Sequence, residues 1–215
     1  MSEHIVVYNA LDIKEALGIV DKYSITYGVL SGDVELPNAM LMKRDDVETN
    51  FNYIQPIPNA CIVTIKDNEV HYLTHIRSNG KESRLKNKRS IYFGGHVDKE
   101  DIEKSSTGYI VECLVRELEE ELNINDKHIY EQIIDNVCKG CIYYIYSSID
   151  DVSKVHICLG MFLEVDEDLP TMSAETGRLE WVKLMDLIKE HETGEYPLDT
   201  WSEIMVKNLQ LTQGV

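Results

Sequence analysis

The segment Arg116-Glu-Leu-Glu-Glu-Glu-Leu-Asn-Ile124 carries the densest set of groups able to do chemistry. Its periodicity predicts a helix over about 107–122, with Val111, Leu114, Val115, Leu118 and Leu122 on one apolar stripe. Glu117, Glu120 and Glu121 stand at i, i+3 and i+4, so they share another face. Three carboxylates this close repel one another unless a cation sits among them. An all-oxygen cluster suits Mg2+, with Mn2+ as the near alternative. The bland reading is a solvated acidic face. Against it, the carboxylates crowd the C-terminal end of the helix, where the backbone dipole disfavours them and no lysine relieves them.

The elements that must position these groups can be read outward from that helix. Upstream, Ser90 to Phe93 reads as a short strand ending at Gly94-Gly95. Before it, Asn59 to Lys66 and Glu69 to Arg77 alternate around the Lys66-Asp-Asn turn as a hairpin. Residues 4–8 and 24–30 read as strands, 12–22 as an amphipathic helix and Asp45 to Phe51 as a short one. Pro56 and Pro58 are expected to break the chain. That places a boundary near residue 55, between an N-terminal elaboration (1–55) and a main domain (56–215). Downstream, strands are expected at about 128–134, 141–148, 155–165 and 178–183, and helices at 184–192 and 199–210. The pattern predicts an α+β fold with helices packed on a mixed sheet.

The segment 116–124 resembles the second half of the Nudix box, whose pattern is Arg-Glu-apolar-x-Glu-Glu-x-Gly-apolar. Arg116, Glu117, Leu118, Glu120, Glu121 and Ile124 match it. Asn123 stands where the family has glycine, and asparagine is the next-best residue for a left-handed helix end. In the first half of the box, Gly95, five residues and Asp101 match a glycine and a glutamate, with Asp in place of Glu. Fourteen residues, Ile102 to Val115, then precede the arginine, where the family has seven. This insertion is expected to pass the task of steadying Arg116 to Glu112, four residues before it. Ile102 to Ser106 is expected to be a mobile or locally folded loop, with Ser106 or Thr107 capping the helix.

The resemblance implies a Nudix fold, a mixed sheet sandwiched between helices. It implies a magnesium-dependent pyrophosphohydrolase that cleaves a diphosphate linkage in a nucleotide-like small molecule. Glu120 and Glu121 are then the first metal ligands, with the Gly94 carbonyl and Glu175 as further ones. Glu117 is a ligand or the general base, and Arg116 orients the carboxylates. The rival functions are a nucleotide-binding regulator without turnover and an isoprenyl diphosphate isomerase of the same fold.

Lys81, Arg84, Lys86, Lys88 and Arg89 fill the loop that leads into the glycine pair. Arg84 and Arg89 are candidates for binding a terminal phosphate. The formal net charge of −17 argues against coating nucleic acid, while leaving room for a cation that bridges to an anionic small molecule. No apolar run reaches the roughly 20 residues that span a bilayer, so no membrane contact is expected. The first residues lack a basic leader, so a cytoplasmic location is expected. Five cysteines, an odd number, fit a reducing compartment. Cys138-Lys-Gly-Cys141 has no second soft pair and reads as two small residues on a half-buried strand. The N-terminal 55 residues are expected to join the sheet or to form a homodimer interface.

Overall fold

A computed structural model describes residues 3–20, 24–30, 36–76, 87–104, 108–166 and 178–213. The strands are β1 (His4–Asn9), β2 (Ile25–Leu30), β3 (Met40–Lys43), β4 (Tyr53–Lys66), β5 (Glu69–Ile76), β6 (Arg89–Ser90), β7 (Tyr92–Gly94), β8 (Ile142–Ser147), β9 (His156–Glu164) and β10 (Arg178–Lys183). The helices are α1 (Ala10–Ala16), α2 (Arg44–Val47), α3 (Lys99–Lys104), α4 (Tyr109–Leu122), α5 (Lys127–Cys138), α6 (Leu184–Thr193) and α7 (Thr200–Gln213). The α+β class is the one the sequence implies.

The chain divides into two compact units, one of residues 1–59, 94–116 and 130–161, the other of 60–93, 117–129 and 162–215. The expected boundary near residue 55 falls inside β4, which runs unbroken through Pro56 and Pro58. The two prolines are two residues apart, so both missing N–H groups face the same side of the strand.

In the first unit, β1 pairs antiparallel with β3 and, through Tyr8 and Asn9, with the start of β4. Within residues 1–55, β1 thus pairs with both β3 and β4. β1 is buried on both faces and splits its side chains between two clusters. Ile5 and Val7 pack with Val47, Met42 and Tyr53. Val6 packs with Val97, Cys113 and Tyr109, which fixes the loop after β7 against the first half of α4. β2, β8 and β9 form an antiparallel ribbon.

Helix α5 occupies the stretch expected to be a strand. Ile129, Ile133 and Val137 recur every fourth residue, and Asp126 caps the helix, its Oδ1 accepting from the N–H groups of His128 (2.8 Å) and Ile129 (3.2 Å). The β-branched isoleucines suggested strand, but spacing and cap outweigh propensity here. Cys138 ends this helix and Cys141 precedes β8. Both are exposed free thiols rather than strand residues.

In the second unit, β4 and β5 form the expected hairpin. Asp67 and Asn68 turn it with positive φ (51° and 62°), as a two-residue turn matched to strand twist requires. β5 also pairs with β10 and β6. Arg89 is 1% exposed and anchors this unit. Its guanidinium donates to Thr74 Oγ1 (2.6 Å) and Glu180 Oε2 (2.9 Å), lies 3.2 Å from Glu190 Oε2 and stacks on the Tyr196 ring. The phosphate-binding expectation for Arg89 therefore does not hold: its charge is spent inside the fold. Arg84 lies outside the described residues.

Burial, followed by the opposing effect of Arg89, leaves the Glu190 carboxyl above its usual range. Such a group favours the folded state at low pH and loses that contribution as pH rises through its folded value. Arg89→Met removes the cation between Glu180 and Glu190 and should cost about 3 kcal/mol at neutral pH. Thermal melts should show a drop of about 6–12 °C. The deficit should shrink on acidification, as the Glu190 carboxyl takes up a proton and no longer needs the cation.

Candidate functional site

The loop after β7 starts with a glycine that nothing else could replace. Gly94 has φ +153°, and a Cβ there would lie 2.0 Å from the Pro58 carbonyl oxygen. Its backbone passes directly over β4. The loop continues through Val97, whose carbonyl accepts from the Val6 N–H (2.8 Å), and Ile5 bridges to Asp98. β1 thus serves as a rail for this loop.

Asp98-Lys-Glu-Asp101 then forms a reciprocal cap. The Asp98 N–H donates to Asp101 Oδ2 (2.9 Å), and the Asp101 N–H donates to Asp98 Oδ1 (3.0 Å). The logic is that of a capping box with aspartate in the glutamate's place. It starts α3, so Ile102–Lys104 is locally folded as helix. Ser106 and Thr107, the expected caps of α4, lie outside the described residues.

Asp101 is 2% exposed and takes Arg116 in a two-pronged grip. Arg116 Nε donates to Oδ1 (3.0 Å) and Nη2 to Oδ2 (2.9 Å), while Nη2 also donates to the His96 carbonyl (2.9 Å). Asp101 thus keeps its hold on Arg116 despite the insertion. α3 takes up part of the added length and returns Asp101 to the guanidinium. Cys113 Sγ adds weak bonds to the carbonyls of Gly95 and His96.

The other half of the box lies on the second half of α4. With 100° between successive residues, Glu117, Glu120 and Glu121 fall within an arc of about 100°, and Glu119 points away. Glu117 and Glu121 are half-buried, whereas Glu119 and Glu120 are exposed. Glu119 accepts from Asn125 Nδ2 (3.1 Å). The last turn of α4 contains no basic residue. Asn123 adopts φ 53°, the left-handed end the sequence calls for. The Asn123 N–H returns to the Glu119 carbonyl (3.0 Å) and the Ile124 N–H to that of Leu118 (3.2 Å). Glu175 lies outside the described residues.

A second group went unnoticed in the sequence. Glu48, His96 and His156 bring their ligand atoms within 4.8 Å of one another, the one such trio among the described residues. They come from three distant stretches, so no spacing motif could have revealed them. Burial first, then the nearby charge of Arg44, holds the His96 imidazole well below the usual histidine range, so it is neutral.

The Asp101–Arg116 pair generates a stability prediction. Asp101→Asn removes a charge-assisted, two-pronged bond and should cost about 2 kcal/mol. The melting temperature should fall by about 4–8 °C. Glu112→Gln should change it by less than half of that. Equal losses would return Glu112 to the role of main partner.

No family model matches the chain. It is 30% identical over 203 residues to protein YmaB of Bacillus subtilis (strain 168), covering 89% of this chain and 93% of that one. Among solved structures it is similar to Tm1382, described as a candidate Nudix hydrolase, with a TM-score of 0.66, 21% identity and coverage of 96% and 98%. It also resembles the NUDIX domain of Shewanella oneidensis NrtR, solved with ADP ribose, with a TM-score of 0.51, 15% identity and coverage of 80% and 99%. No helix is long and apolar enough to cross a membrane among the described residues. The chain belongs to the same family as YmaB, and its fold is that of the Nudix hydrolases it resembles.

Proposed function

We propose that this chain is a divalent-metal-dependent hydrolase that cleaves a diphosphate linkage in a nucleotide-like small molecule. The observation that carries the reading is Glu117, Glu120 and Glu121 on one arc of α4, directly after an arginine held by a buried aspartate. Carboxylate oxygens at a dipole-disfavoured helix end, with no basic residue in that turn, form a donor set that fits Mg2+ or Mn2+. Such an ion, when bound, supplies an activated water and shields the charge that develops on the diphosphate.

The chain's own residues do the rest. Glu120 and Glu121 are the first choices as ligands. The half-buried Glu117 either completes the set or accepts the proton of the attacking water. The Gly94 carbonyl and Glu175 are further candidate ligands, and Arg84 is a candidate phosphate contact. Arg116 is a positioning residue: Asp101 and the His96 carbonyl fix its guanidinium, one residue before the acidic turn begins. The ADP ribose bound by the NrtR domain suggests where a substrate search should begin.

The test is a panel of nucleoside diphosphate derivatives, dinucleoside polyphosphates and nucleotide sugars with Mg2+, followed by phosphorus NMR. Cleavage should yield two phosphate-bearing products. On the substrate found, Glu120→Gln and Glu121→Gln should each lower turnover by at least about 100-fold. Glu119→Gln should stay near wild type. Without metal, melts of the first two variants should match or exceed wild type, since a like-charge repulsion is relieved. Full activity in Glu120→Gln and Glu121→Gln, or equal damage in Glu119→Gln, would refute the assignment. Failure to cleave any substrate in the panel would favour a binding protein without turnover.

A further inference from the structure

The trio Glu48, His96 and His156 belongs neither to the acidic turn of α4 nor to the core. Glu48 ends α2, His96 lies in the loop after β7, and His156 is the first residue of β9. His96 Nε2 and His156 Nε2 are 3.2 Å apart, and Glu48 Oε2 is 3.9 Å from His156 Nε2. We propose that Glu48, His96 and His156 form a binding site for a borderline-soft divalent cation of the Zn2+ class, separate from the oxygen-donor set on α4.

Three features of the geometry support this. Two nitrogens bound at about 2.0–2.1 Å in tetrahedral arrangement stand about 3.3 Å apart, close to the observed separation of the imidazoles. The tautomer of His156 is also set. Its Nδ1 lies 2.7 Å from the Val152 carbonyl oxygen, which can only accept, so Nδ1 carries the proton and the Nε2 lone pair points into the trio. That bond from the far nitrogen is the usual way a protein orients a metal-binding histidine. Finally, His96 is fixed through its backbone, since its carbonyl accepts from Arg116 Nη2 and from Cys113 Sγ.

Glu48 supplies the adjustable ligand. Its Oε1 accepts from Arg44 Nε (2.7 Å), and Arg44 is shared with Glu3 (3.1 Å). Oε2 faces the imidazoles, 3.9 Å from His156 Nε2 and within 4.8 Å of the His96 ligand atom, and closes in on both to reach tetrahedral spacing. In the metal-free protein, His96 Nε2–H donates to His156 Nε2. On binding, that proton moves to Nδ1 of His96, which frees the second lone pair. Nitrogen donors select Zn2+, Co2+ or Ni2+ over Mg2+. Three protein ligands leave a fourth position for water.

The test uses the untagged full chain carrying Cys138→Ser and Cys141→Ser, so that the exposed thiols do not compete. Titration with Co2+ in millimolar Mg2+ should produce the visible d–d bands of a four- or five-coordinate ion at one equivalent. Zn2+ should displace it. The double variant Glu120→Gln/Glu121→Gln should keep these bands, which separates the site from the acidic turn. Glu48→Gln and His96→Gln, checked for folding by circular dichroism, should weaken Co2+ binding by at least about 100-fold. No bands in the unsubstituted trio, or bands unchanged by both substitutions, would overturn the proposal. If either variant does not fold, Zn2+ calorimetry on the parent decides: one tight equivalent that persists in Glu120→Gln/Glu121→Gln supports the site, and its absence overturns it.

Discussion

The buried Asp101–Arg116 pair is the constraint on which the rest of the site depends. A guanidinium drawn out of water needs its hydrogen bonds made, and a carboxylate at 2% exposure needs a cation. Each supplies the other. The same carboxylate caps α3 through the Asp98 N–H, and the same guanidinium holds the His96 carbonyl. One ion pair therefore ties together a glycine loop, a short helix and the arginine from which the acidic turn follows. Moving any of these parts leaves a buried charge unmet.

β1 has a comparable role in a different currency. Its backbone carries the loop through Val6 and Ile5, and its alternate side chains bury against Val97 and Cys113 on one face and Val47 on the other. The N-terminal segment is thus part of the scaffold rather than an appendage. Tyr8 reaches Tyr109 at the start of α4 through a hydroxyl pair, and burial pushes the Tyr8 phenol upward, so it stays neutral.

Much of the acidic turn was legible because helix periodicity is a local property. Glu117, Glu120 and Glu121 share an arc by spacing alone, and Asn123 at φ 53° is the left-handed end that position demands. What was not legible depended on how the chain returns on itself. Counting residues between Asp101 and Arg116 suggested a lost partner, because a count does not show that α3 folds the insertion back. Arg89 read as part of a basic loop because its partners Glu180 and Glu190 lie far along the chain. The stretch 128–134 read as strand from its β-branched residues, although Asp126 and a four-residue repeat already marked a helix. Glu48, His96 and His156 meet only in three dimensions.

The central claim is that the carboxylates of α4 hold a divalent ion. Titration of the full chain with Mn2+, followed by loss of the free-ion electron paramagnetic resonance signal, tests it without knowledge of the substrate. The wild-type chain and Glu119→Gln should bind the same number of ions, and Glu120→Gln/Glu121→Gln should bind at least one fewer. Equal Mn2+ binding by all three proteins would contradict the account.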